Sequence, residues 1–143
     1  MNKWLRLACA GALVAGTLSV CALAADFTAS AEHLNDLGLF QGTGNGYALD
    51  RAPTRAEAAV MLVRLLGAED EAQELVYDAP FIDLADWQKP YVQYLYENGF
   101  ANGTFATMFS PEQPCTAQMY AAFLLRALGY NEADGDFTYA QAV

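Results

Sequence analysis

Apolar residues recur along this chain at helical spacing, and they do so twice. Ala58, Met61, Leu62 and Leu65 form one stripe, while Ala59, Val60, Val63 and Leu66 make most of the opposite face apolar too. A helix greasy on nearly every side is a central, buried one. Pro53 and Thr54 open it, and Glu57, three residues after Thr54, completes a capping box. Upstream, Ala31, Leu34 and Leu37 share a face of an earlier helix, which Gly38 is placed to end at positive φ. A glycine-rich loop from Gly42 to about Asp50 joins the two. The second half follows the same plan. Asp86 is a candidate cap, Pro90 falls in a first turn where its missing N–H matters least, and Tyr91, Tyr94 and Leu95 line a face before Gly99. Phe109-Ser110-Pro111 then closes a loop, and Tyr120, Phe123, Leu124 and Leu128 supply the next stripe. The pattern predicts an all-α fold.

The two halves are an internal repeat. Leu34-Asn35-Asp36-Leu37-Gly38-Leu39 reads against Leu95-Tyr96-Glu97-Asn98-Gly99-Phe100, and Gln41-Gly42-Thr43 against Asn102-Gly103-Thr104. Met61-Leu62-Val63-Arg64-Leu65-Leu66-Gly67 matches Phe123-Leu124-Leu125-Arg126-Ala127-Leu128-Gly129. The offset is 61 at the first pair of glycines and 62 at the last, so one residue is inserted in the intervening loop. Asp26-Phe27-Thr28-Ala29 is echoed by Asp136-Phe137-Thr138-Tyr139, the expected start of a third copy that breaks off. The expected organisation is a leader over 1–24, a first repeat over 25–67 and an acidic, partly helical connection over 68–80. A second repeat over 81–129 and the start of a truncated third over 130–143 complete it. Two repeats without a third cover leave apolar helix surface, which predicts self-association.

The amino terminus reads as a secretory signal. Lys3 and Arg6 precede an apolar run from Leu7 to Val20, and Ala22-Leu23-Ala24 offers a cleavage site after Ala24. The run is about 14 residues, short of the roughly 20 a permanent membrane helix needs. Acylation of Cys21 is the rival reading, with bulky Val20 standing where a small residue is usual. Cleavage leaves five basic and seventeen acidic residues, so the charge moves from -10 to -12. Such a surface has no phosphate-neutralising stripe, which excludes nucleic acid and disfavours anionic membrane. Of three cysteines only Cys115 lies beyond the leader, and His33 is the only histidine. Disulfide frameworks, histidine-based nucleophile pairs and zinc sites therefore have little to work with. No pairing of titratable residues demands catalysis, and no metal or cofactor is expected.

Phe81, Asp83 and Trp87, then Gly99-Phe100 and Gly103, then Phe109 and Pro111 follow one another in the second repeat, and Thr54-Arg55-Ala56-Glu57 stands intact in the first. In order and double occurrence these resemble the S-layer homology family, over nearly the whole chain beyond the leader. The resemblance implies helix–loop–helix repeats packed into a pseudo-threefold prism. Its grooves would bind a secondary cell-wall polysaccharide, often pyruvylated, on the cell surface. It maps ligand contact onto Arg55 and Trp87, and it implies glycan-binding roles for Asp83, Gly42 and Gly103 as well. Guanidinium grips a carboxylate bidentately, an aromatic face suits a sugar ring, and loop glycines admit close backbone approach. At a charge of -12, recognition of an anionic polymer must come from a local pocket. The second repeat departs from the pattern, with Thr116-Ala117-Gln118-Met119 in place of the arginine-bearing motif.

Other readings compete for the same residues. Arg55 can pair with a nearby acid, Glu57 can serve the capping box alone, and Trp87 can pack with Tyr91, Tyr94 and Tyr96 as a helix face. Arg64 and Arg126 recur at one repeat position near helix carboxyl ends, which points to structure. For the whole chain, the alternatives to a glycan anchor are a helical protein–protein module and the anchor of a larger exported enzyme.

Overall fold

The computed structural model describes residues 26–143; the leader call over 1–24 lies outside them. Five helices follow one another: α1 (Thr28–Asp36), α2 (Arg55–Leu65), α3 (Glu69–Glu74), α4 (Lys89–Glu97) and α5 (Ala117–Ala127), with a short 3-10 turn at Tyr139–Gln141. Among the described residues there are isolated bridges but no strand, and the fold is all-α. None of these helices is long and apolar enough to cross a membrane.

α2 is the central element and packs against α3, α4 and α5. It buries Ala56, Ala58, Ala59, Leu62 and Val63, so the core face is centred on the second of the two apolar stripes as much as the first, and Leu65 and Leu66 turn outward. Val92 and Leu95 of α4, Phe123 of α5, Phe81 and Phe109 complete the core. α1 packs directly on none of the other helices, and only its Ala31 is buried.

The ends of the elements follow local chemistry. Thr54 accepts the Glu57 N–H at 3.2 Å, and the Glu57 carboxylate accepts the Thr54 N–H at 2.7 Å, closing the expected capping box. Thr116 caps α5 the same way through the Met119 N–H, without the returning glutamate. α4 differs from expectation: its cap position is Gln88, whose buried side chain accepts the Ala85 N–H, while Asp86 pairs with Lys89. Gly38 and Gly99 end α1 and α4 at φ of 72° and 71°, a region that favours glycine.

The repeat is visible in the hydrogen bonding. Thr43 sends its N–H and its hydroxyl to Gly46 O, and Thr104 sends both to Met108 O. The turn from Thr104 to Met108 is one residue longer, which locates the insertion there. Beyond it, Ala48 and Ser110, 62 apart, both adopt positive φ. Arg64 pairs with Glu69 and Arg126 with Glu132, so both arginines anchor the chain that follows their helix.

The connection between the repeats is held more firmly than its acidic composition suggests. Ala68, Ala72 and Ala79 are buried. The Gln93 side chain of α4 accepts the N–H groups of Asp78 and Ala79 at 2.9 and 2.7 Å. The Tyr91 hydroxyl donates to Glu69 at 2.7 Å, and the Tyr77 hydroxyl to Phe81 O at 2.6 Å.

Candidate functional site

Two grooves share the Arg51–Glu57 pair and Trp87 in their walls. One lies on the seam between the halves, about 480 Å³, and is lined by Arg51, Thr54, Glu57, Trp87, Glu112 and Pro114. The other, about 530 Å³, runs between α1, the loop after it and α2, and includes Gly42, Tyr47, Met61 and Tyr91. Arg51 donates to both Glu57 oxygens at 2.7 and 2.6 Å. That fork holds the Glu57 carboxyl below the ordinary glutamate range and pushes the Arg51 guanidinium up.

The residues singled out from the sequence occupy three distinct places. Trp87 is about half exposed and lines both grooves. Gly42 lines the α1–α2 cleft, where a Cβ would meet Gly46 O and Tyr47 Cδ1 at 2.9 Å. Arg55, Asp83 and Gly103 line neither groove and instead shape the loop of the second repeat.

Arg55 is only 4% exposed. Its Nε donates to Phe109 O at 2.9 Å and its Nη2 to Asn102 O at 3.0 Å. The guanidinium lies 4.6 Å from the Phe109 ring centroid and 5.5 Å from that of Phe123. Burial pulls its pKa below the ordinary arginine value. Asp83 accepts the Phe109 and Ser110 N–H groups at 2.9 and 2.8 Å, fixing the positive φ of Ser110. Gly103 lies beneath the Phe81 ring, and a Cβ there would also fall 2.6 and 2.7 Å from Phe105 O and Met108 O. A seam of backbone bonds runs beside Arg55: its own N–H donates to Gln113 O, Ala56 N–H to Pro111 O, and Cys115 N–H to Pro53 O. The halves are joined by a helix start seated on a loop, with the trough at Trp87 on its outer edge.

Sequence reasoning did not single out Arg51. The signal was present: a basic residue three positions before Thr54, in a chain with few basic residues.

Comparison with known proteins bears on this loop directly. The S-layer homology domain matches residues 82–116, the stretch that runs from beside Asp83 through Trp87, Gly103 and Phe109 to the cap of α5. Over this segment the chain is similar to the S-layer homology family, as the order of its motifs leads one to expect. The middle cell wall protein of Brevibacillus brevis is 31% identical over 119 residues, covering 81% of this chain and 11% of that protein. A surface layer protein of Brevibacillus choshinensis is 31% identical over 102 residues, 69% of this chain and 9% of that protein. An endoglucanase of a Bacillus species (strain KSM-635) is 37% identical over 79 residues, 55% of this chain and 8% of that protein. The chain thus spans about a tenth of the length of these relatives.

Proposed function

We propose that this chain is a non-catalytic anchoring module of the cell surface, which holds to the wall by binding a secondary polysaccharide in the seam at Trp87. The observation that carries the reading is the position of Trp87. It stands half exposed beside Arg51, on a seam whose framework is the segment matching the S-layer homology domain. Names of the relatives, among them a middle cell wall protein and a surface layer protein, support placement at the wall. An indole face gives a sugar ring an apolar bed. Arg51 grips a carboxylate in Glu57 already, and a ketal-linked pyruvate presents the same group. Because the chain is strongly acidic, an anionic polymer is recognised at this local cation and not by long-range attraction. In this reading Arg55, Asp83 and Gly103 hold the seam in shape from beneath.

A second reading concerns the protein around the module. The endoglucanase relative matches over 8% of its own length, which supports a role as the anchoring part of a larger exported protein.

Co-sedimentation with purified wall sacculi, before and after removal of their secondary polymer, tests the first reading. Trp87→Ala is the informative variant, since an exposed side chain can be removed without opening the core. Binding that disappears both on stripping and in Trp87→Ala is the expected result. Equal binding to stripped walls would replace the polysaccharide with another wall component.

A further inference from the structure

Next to Trp87 the chain buries a polar side chain and ties it to the wall of the trough. Gln88 is only 2% exposed. Its Oε1 accepts the Ala85 N–H at 2.9 Å, and its Nε2 donates to Glu112 Oε1 at 3.0 Å. Glu112 is itself exposed and lines the same trough as Trp87 and Arg51. The backbone on either side of it is fixed. Ala56 N–H donates to Pro111 O at 3.0 Å, and Arg55 N–H to Gln113 O at 2.9 Å. Among the described residues no cation pairs with Glu112, and its Oε2 accepts no hydrogen bond. A solvated carboxylate adds little stability when held still, and holding it costs side-chain entropy. An acceptor ordered in a groove is, by contrast, preorganised for a donor from outside. Shifted back by the repeat, Trp87, Gln88 and Glu112 become Asp26, Phe27 and Asp50. An indole with a carboxylate fixed beside it therefore belongs to the second half alone.

Resting on the glycan reading, we propose that Glu112 reads the hydroxyl groups of the sugar that lies on Trp87, with Gln88 as its positioning residue. The indole covers the apolar face of the ring, and the carboxylate accepts from hydroxyls at its edge. Hydrogen bonds to a charged acceptor are the stronger kind, which makes this edge selective. The ring selected here is an uncharged one with free hydroxyls. An acidic group at the same edge would meet Glu112 and be repelled, which keeps the polymer's carboxylate to the Arg51 side.

The test is the sign of one substitution. Polysaccharide released from purified walls is titrated into the chain beginning at Ala25 and followed through Trp87 emission. Glu112→Gln keeps the side chain's shape and removes one negative charge. If Glu112 merely repelled an anionic polymer, that change would tighten binding. The expected result is binding about tenfold weaker, as for the loss of one charged hydrogen bond. Gln88→Met, neutral and of similar length, should weaken binding in the parent but add nothing in the Glu112→Gln background, because both act through one contact. Additive losses would remove Gln88 from its positioning role. Folded Glu112→Gln that binds as tightly as the parent, or more tightly, overturns the proposal, whatever its urea midpoint does. A parent chain that binds no released polysaccharide removes the glycan reading, and this proposal with it. Binding by the parent thus tells the two failures apart.

Discussion

At the scale of single residues, Arg55 carries the most structural weight. A buried guanidinium without a carboxylate beside it is stabilised here by two carbonyls and two aromatic rings. Arg55→Ala strips the Asn102 and Phe109 carbonyls of their donor and leaves a cavity at the seam. The expected loss is about 2–4 kcal/mol, read from urea unfolding, with Arg55→Lys recovering only part because an ammonium does not fork. Glu57 gives a pH signature. Its carboxyl is held low, first by the hydrogen bonds from Arg51 and further by the Thr54 N–H. A depressed carboxyl contributes stability that is whole above its unfolded pKa and lost as pH falls through its folded one. Wild type should thus lose stability relative to Glu57→Gln as pH drops below about 4.3, the ordinary glutamate value. Parallel pH profiles for the two proteins would remove Glu57 from that account. The Thr54–Glu57 box was legible in the sequence because capping is local, set by a spacing of three. The burial of Arg55 was not, because its partners Asn102 and Phe109 lie 47 and 54 residues away.

At the scale of elements, both helix pairs were legible from apolar periodicity and from the glycines at 38, 67, 99 and 129. The face that α2 buries was less so, since a helix apolar all round does not say which stripe meets which neighbour. The start of α4 shows another limit. Asp86 suits a cap by type, yet Gln88 holds that place because its amide also reaches Glu112, on the loop before α5, at 3.0 Å. The connection over 68–80 looked weakly patterned because its order comes from a partner elsewhere, Gln93 of α4. Gln93→Ala should leave the buried Ala79 N–H without an acceptor, at a loss of about 1–3 kcal/mol. Hydrogen exchange would report it as faster exchange at Asp78 and Ala79, with α5 unchanged. Uniform acceleration across all helices would mean that the connection does not open separately.

At the scale of the whole molecule, the repeat organises everything: one helix start seated on one loop joins the halves, and the groove at Trp87 runs along that joint. Of the residues expected to touch ligand, the structure divides those on groove walls, Trp87 and Gly42, from those building the loop behind, Arg55, Asp83 and Gly103. Sequence motifs mark both kinds alike, because a loop must be held in shape before its edge can bind anything. Only the packed molecule separates framework from surface, and it adds Arg51 to the surface. The central claim is that a wall polysaccharide lies against Trp87, which is the only tryptophan in a chain beginning at Ala25. Its fluorescence can therefore be titrated with polysaccharide released from purified walls. The account predicts a saturable change in emission, reduced when the pyruvyl groups are removed. Emission that stays flat while the same folded chain sediments with intact walls would contradict it and place the ligand elsewhere.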